Sequence, residues 1–453
     1  MGMGIGNKER VVVTKRVYST ISGFFSWGFL GLSLTGIQPI YAADVGKWNL
    51  EASVQRVLEV APEVRGMEAE VKAREGALRQ AGIWPNPSIA LRADNALGKE
   101  DDSGGYAMTQ LTLSQPLPLL RLPAQIKAAQ ARLTGALETG RYKRLLLEFE
   151  TARVFHDLQL AREKFDITQQ RLRAAVELVG KDSKNRGADP LVRYLTPLER
   201  LRLRILRETA QQSVATAEGK LSEAVAKFRV FLALAPDTNP EPMALTPARE
   251  PASLAKLQEI LNKHPALIAA QREYDAATAE MDAARARRFN DPELILFQER
   301  AYLNNHRQNV TGLGIAVPLP FWNQNSGAIQ EAQAQIPKAQ AQLAVQQRDL
   351  ENALRQSYIH LNHLIEQAAR FRSGLLEPAQ TAYDLTRRGF VAGEVNVLAL
   401  IDANNTHFDA RERYLELLRD AWFEVASLRL ATGISLRDTP AEKKDEKKGE
   451  KKP

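Results

Sequence analysis

Apolar positions along this chain recur mostly at helical spacing. Tyr358, Leu361, Leu364, Ile365 and Ala368 fall on one helical face, and His360, His363, Glu366 and Gln367 on the other. So narrow a stripe buries one seam against a neighbouring helix and leaves the far side wet. From about Pro123 to Lys181 only Gly135 and Gly140 interrupt the pattern. That is a helix of roughly sixty residues, or about 90 Å. Gly327 to Arg388 is similar, with Pro337 and Pro378 as expected kinks. Four short stretches depart from this period, at about 88–97, 106–114, 293–300 and 310–317. In the first, Ile89, Leu91 and Ala93 alternate with Ser88, Arg92 and Asp94; in the second, Thr109, Leu111 and Leu113 alternate with Gln110, Thr112 and Ser114. In the last, Leu313, Ile315 and Val317 alternate with Gly314 and Ala316. Two of the four run into Pro-Leu-Pro and then into helix, in LTLSQPLPLL and in GLGIAVPLPFWNQN. Proline cannot donate to a strand ladder, so it ends each one.

That recurrence is part of a longer one. Pro62 aligns with Pro265, Pro87 with Pro292, QPLP at 115–118 with VPLP at 317–320, and Gly187 with Gly393, at offsets of 203, 205, 202 and 206. Four landmarks in one order with nearly constant spacing indicate a duplicated unit. Each copy reads as a helix of about thirty residues (Glu51–Ala81; Ala255–Arg288), two strands around a polar loop (98–105; 303–309), and two long helices around a Gly turn. The expected organisation is a leader over 1–43, one repeat over 44–240, a second over 241–436, and a charged tail over 437–453 expected to be disordered.

Composition adds limits. A chain of 453 residues with 44% hydrophobic and 25% charged residues is a folded protein, and 7% aromatic content with abundant Ala, Leu, Gln, Glu and Arg favours long helices. Residues 1–43 look like a secretory signal, with Lys8, Arg10, Lys15 and Arg16 before an apolar stretch and Ala42-Ala43 before Asp44. Ser, Gly, Trp27, Gln38 and Pro39 make that stretch a poor permanent anchor. The net charge of +7 divides into +3 for 1–43, +2 for the tail and +2 for everything between. Acids interleave with the bases, so nothing points to nucleic acid. The absence of cysteine removes disulfides, Cys-based metal sites and a lipid anchor on an N-terminal Cys. After the leader no run of eighteen apolar residues occurs, which excludes an inner-membrane transporter.

Alternating stretches of eight to ten residues suit either a soluble sheet packed on helices or tilted outer-membrane strands, which need about 9–11 residues. The helices have seams of their own and offer little surface to cover a sheet. Four strands cannot close a barrel, and open edges are not tolerated in lipid. Membrane strands would therefore need several chains to share one barrel, and three chains would supply twelve.

From about 48 to 434 the chain resembles the TolC-like outer membrane factors of efflux systems. The resemblance rests on Pro85-Asn86-Pro87, Pro378-Ala379, Phe390 with Gly393, Ile401-Asp402-Ala403 and Ala431-Thr432-Gly433. It implies a mostly α protein with a small β part, assembled as a homotrimer. A twelve-stranded barrel would cross the outer membrane and a coiled-coil tunnel would fill part of the periplasm. Ile89, Leu91, Leu111, Leu113, Leu313, Ile315 and Val317 would face outer-membrane lipid, while Gly312, Gly314 and Ala316 leave the lumen open. The turns at Gly187 and Gly393, with Glu394, would be tips that meet a periplasmic adaptor (a membrane fusion protein) and an inner-membrane RND pump. Asp402 matches one acidic position that narrows the tunnel entrance in the family; the other is Ala399 here, so a doubled carboxylate ring is not expected. The missing lipid-anchor cysteine and the general sequence plan suggest the cobalt–zinc–cadmium, CzcC-like branch. Factors for drugs or type I protein secretion share nearly the same plan.

Other chemistry is thin. His360-x-x-His363-x-x-Glu366 offers at most a transient metal site, and two solvated histidines are the ordinary reading. No nucleophile elbow, P-loop, Rossmann fingerprint or HExxH helix occurs, so neither an enzyme nor a cofactor is expected. A periplasmic adaptor would carry one hairpin flanked by β modules, whereas this chain has two hairpins. A structural coiled coil would leave the strands and leader unexplained.

Overall fold

The computed structural model describes residues 47–94, 108–179, 195–303 and 306–437, all within one compact unit. The expected leader, the tip at Gly187 and the tail beyond Arg437 lie outside the described residues. The first repeat forms α1 (Leu50–Val60), α2 (Pro62–Ala81), β1 (Ser88–Asp94), β2 (Met108–Pro116), α3 (Leu122–Val179) and α4 (Pro197–Phe231). The same order follows in α5 (Leu254–Leu261), α6 (Pro265–Ala286), β3 (Glu293–Leu303), β4 (His306–Ala316), α7 (Ser326–Phe371), α8 (Glu377–Val391) and α9 (Val397–Thr432).

Two sequence expectations need correction, the single leading helices and the second polar loop. Each leading helix of about thirty residues is two helices, because Ala61 and His264 adopt extended backbone ahead of Pro62 and Pro265. The kink expected near Pro378 is a π-helical segment, Arg372–Leu376, between α7 and α8; a widened turn absorbs the amide that proline lacks. Pro337 is accommodated inside α7. The loop expected at 303–309 is largely strand, since Tyr302 pairs with Arg307 and Leu303 with His306. Residues 304–305, both Asn, lie outside the described residues.

The sheet is an antiparallel meander in the order β1-β2-β3-β4. Ile89, Leu113, Leu296 and Leu313 stand side by side on one face, and Ala90, Thr112, Phe297 and Gly312 on the other. The helices form a strip: α4 packs on α3, α3 on α9, and α9 on α7 and α8, while nearer the sheet α2, α3, α6 and α7 follow in that order. The repeats have matching cores. Val57, Phe155, Leu158 and Phe228 join α1, α3 and α4; Leu257, Leu361, Leu364 and Leu428 join α5, α7 and α9.

His264 ties the second repeat together. Its Nδ1 accepts from the Ala266 amide at 3.1 Å and its Nε2 donates to the Leu430 carbonyl at 2.9 Å. Both contacts need the neutral Nε2–H tautomer, and burial pushes its pKa down accordingly. Gly433 ends α9 at φ +74°, and a Cβ there would lie 3.0 Å from the His264 ring. The family-like closing Ala431-Thr432-Gly433 therefore meets both a left-handed backbone and a crowded neighbour.

The inner seam of α9 follows heptad spacing through Val397, Leu400, Asn404, His407, Arg411, Tyr414 and Leu418. Asn404 is fully buried, and among the described residues its amide nitrogen and oxygen have no hydrogen-bond partner. His407 stacks on Tyr383 at 5.2 Å, with its Nδ1 unpartnered among the described residues. An unpaired buried amide costs about 1–3 kcal/mol. Asn404→Leu is expected to raise the thermal unfolding midpoint by several degrees, checked by circular dichroism; a lowered midpoint would show that the amide has a partner in the assembled protein.

Candidate functional site

Two regions concentrate the residues singled out by sequence. The first is the sheet. Ile89, Leu91, Leu313 and Ile315 are 74%, 72%, 71% and 68% exposed, and Leu111 and Leu113 are also exposed. In register all six lie on one face, joined by Leu294 and Leu296 of β3. Val317 is exposed one residue beyond β4. Among the described residues no helix covers this face, so apolar side chains that would normally be buried stand bare. The other face is more polar, with Ser88, Arg92, Gln110, Thr112 and Glu299. One expectation for that face fails. Gly312 does not leave space open: the Phe297 ring lies across it, and a Cβ there would be 2.3 Å from Phe297 Cζ. The glycine seats an aromatic ring from the adjacent strand.

At the ends of the strands Trp84, Phe289, Phe321 and Trp322 are exposed. Sequence reading did not single them out, although aromatic residues flanking alternating strands are a recognisable sign of a membrane interface. Nor did it find the pair beneath them, where Arg121 contacts both carboxylate oxygens of Asp291.

The second region is the tip between α8 and α9. Phe390-Val391-Ala392-Gly393 closes α8 with two backbone bonds, Glu394 N–H to Gly389 O at 2.8 Å and Gly393 N–H to Phe390 O at 3.0 Å. This is a Schellman cap, which needs the positive φ of +81° that Gly393 supplies. Asn396 then caps α9 by accepting from the Ala399 amide at 2.9 Å. Phe390, Val397 and Leu400 pack with Ala175, Leu203 and Leu206, so the two long hairpins lie together at this end. Glu394 and Asp402 are exposed. Further along, Arg171 of α3 donates to Asn405 at 2.7 Å and Asp409 at 3.0 Å, and Arg387 donates to Glu177 at 2.8 Å. Between α3, α4 and α9 runs an open groove of about 910 Å³ with both signs of charge, including Lys164, Arg171, Asp409, Glu412 and Glu416. Partial burial raises the Glu412 pKa, against the opposing pull of Lys164 and Arg171.

The histidine pair is not brought into a metal site. His360 Nδ1 lies 3.0 Å from Glu424 Oε1, while His363 is exposed one turn away. Among the described residues no group of three or more His, Asp or Glu side chains is placed to hold a metal ion. No helix among them is long and apolar enough to cross a membrane.

The sequence model of the outer membrane efflux protein family matches residues 53–232 and again 256–434. The chain belongs to that family. Outer membrane efflux proteins are channels of tripartite systems, placed in the outer membrane with a periplasmic portion and working with adaptor and inner-membrane pump partners. The chain is 25% identical over 395 residues to the cobalt-zinc-cadmium resistance protein CzcC of Cupriavidus metallidurans, covering 86% of this chain and 90% of that protein. It is 23% identical over 437 residues to the proteases secretion protein PrtF of Dickeya chrysanthemi, covering 89% and 90%. Among solved structures, the transmembrane channel CusC superposes with a TM-score of 0.68 at 19% identity, covering 85% of this chain and 92% of that one. The fold and family are therefore those of a channel.

Proposed function

We propose that this outer membrane efflux protein is the exit duct of a tripartite pump for divalent heavy-metal cations. The similarity to CzcC along almost the whole of both chains carries the reading. Three copies share one barrel, each supplying its four strands, with Ile89, Leu91, Leu111, Leu113, Leu313, Ile315 and Val317 against lipid. The bare apolar face supports this because it suits lipid, and the two sheet edges, unpaired among the described residues, support it because open edges are not tolerated there. The Gly393 turn with Glu394 meets the adaptor, as does the turn at Gly187. Asp402, six residues into α9, contributes one carboxylate per copy to the tunnel entrance. A ring of three like charges in a narrow mouth attracts cations and repels anions.

A strain lacking the gene should lose tolerance to at least one of zinc, cobalt, cadmium and nickel, and regain it with the gene restored. Unchanged tolerance to all four would remove metal as the cargo. The likeness to PrtF supports a second reading, protein secretion through the same channel. Under that reading the deletion strain keeps its metal tolerance and loses a secreted protein from the medium.

A further inference from the structure

The aromatic residues at the ends of the strands have a row of positive charge beside them in the second repeat. The end of α6 and the lead-in to β3 read Arg285-Ala286-Arg287-Arg288-Phe289, with all three arginines and the phenylalanine exposed. The segment leaving β4 folds onto them. Asn325 Nδ2 donates to the Ala284 carbonyl at 2.7 Å, and Arg288 donates to Gln324 Oε1 at 3.0 Å. The Arg288 guanidinium also lies 5.9 Å from the centre of the Phe289 ring. Phe321 and Trp322 meet edge to face at 6.2 Å in the same segment, and Trp322 is 96% exposed. The first repeat has no such row: Gln80, Gly82, Ile83 and Trp84 stand where the second has Arg285, Arg287, Arg288 and Phe289.

Internal pairing does not account for these charges. The nearby acids Glu280 and Asp291 are taken by Arg132 at 2.6 Å and Arg121 at 2.7 Å. Among the described residues no ion pair joins Arg285, Arg287, Arg288 or Asp282. The dipole of α6 favours a cation at its end, yet it gives no reason for exposed aromatic rings alongside. Position matters too. Near the sheet α6 lies between α3 and α7, so a second copy joining at an edge of the helical strip would not cover it.

We propose that Arg285, Arg287 and Arg288 form a binding surface for the phosphate groups of anionic phospholipids in the membrane leaflet that faces the periplasm. This rests on the lipid-facing reading of the sheet above. Aromatic rings at the end of a membrane strand sit at headgroup level, which is where lipid phosphate lies. A guanidinium matches phosphate in charge and offers paired N–H donors to its oxygens. A zwitterionic headgroup brings its own ammonium to compete for that phosphate. Phosphatidylglycerol does not, so the surface selects for net negative charge.

Trp322 reports the contact. In protein purified from outer membranes with Trp84→Phe, it is the one strongly exposed tryptophan among the described residues. This protein is placed in phosphatidylcholine vesicles that carry, at equal content, either phosphatidylglycerol or phosphatidylcholine with brominated acyl chains. Brominated phosphatidylglycerol should quench Trp322 about threefold more effectively, as expected where several basic residues meet an anionic lipid. High salt should shrink that preference. Arg285→Gln with Arg287→Gln and Arg288→Gln should bring the two lipids to equal quenching without abolishing it. Equal quenching while the arginines are present, a preference indifferent to salt, or one that survives their replacement overturns the proposal. No quenching by either lipid, in protein that keeps its native helical signal, would overturn the lipid-facing reading itself and the proposal with it.

Discussion

Leu313→Arg should remove most of the protein from the outer membrane, while Ala316→Arg should leave most of it there. Leu313 lies in the row Ile89–Leu113–Leu296–Leu313, in which every strand contributes a branched apolar side chain to one face. An arginine facing lipid costs about 2–4 kcal/mol near the middle of the bilayer and less toward its edge. In the proposed trimer the cost recurs three times in one assembly. Ile315→Arg, one row nearer the end of β4, should have a smaller effect of the same sign. Ala316 is on the opposite face beside Glu293, where a guanidinium meets water and a carboxylate. The readout is the amount of oligomer in the outer-membrane fraction. Equal losses for Leu313→Arg and Ala316→Arg would contradict the assignment of faces.

Acid should loosen the helical strip through His156. This ring is buried against Trp422, stacked at 5.4 Å, and its Nδ1–H donates to Gln159 Oε1 at 2.7 Å. Gln159 in turn holds the Met243 carbonyl at 2.7 Å, and Trp422 donates to Thr246 at 2.6 Å, so the group pins the segment between the repeats. Nε2 is buried and among the described residues has no partner, so a proton there would find no acceptor among them and would sit near Arg419. Burial is the main cause that lowers the pKa from 6.5 to about 4. The folded protein therefore binds this proton less readily than the unfolded chain. Stability from this group is complete above pH 6.5 and declines as pH falls toward 4. Between pH 7 and pH 5 the loss is about 2 kcal/mol per chain. His264 and His407, also lowered by burial, act in the same direction. Glu412, whose pKa is raised, works against them as its carboxylate takes up a proton. His156→Phe keeps an aromatic ring against Trp422 and removes the titration. Its melting midpoint should fall less on acidification than that of the unaltered protein, and an equal fall would show that His156 is not responsible.

Much of the fold was legible because it rests on periodicities. The two long seams, the alternation in four strands and the offset near 204 between Pro and Gly landmarks each follow from short-range backbone geometry. Proline was read less well. Pro62 and Pro265 split their helices because the residue before proline is driven to extended backbone, whereas Pro337 is absorbed within α7. Contacts between distant segments left little local signal. Arg121 and Asp291 are 170 residues apart, and neither sits in a distinctive motif. Phe297 over Gly312 depends on strand register, which alternation alone does not set. Asn404 and His407 occupy seam positions between apolar residues of α9, and that heptad spacing is the signal from which their burial could have been anticipated. Asp402 and Glu394 were placed by family likeness alone, and both are exposed.

Shared assembly is the central claim, and the mass of the protein extracted from outer membranes in mild detergent tests it most directly. Light scattering corrected for bound detergent should return three chains. A mass of one chain, from material that still carries its native helical signal, would contradict the account.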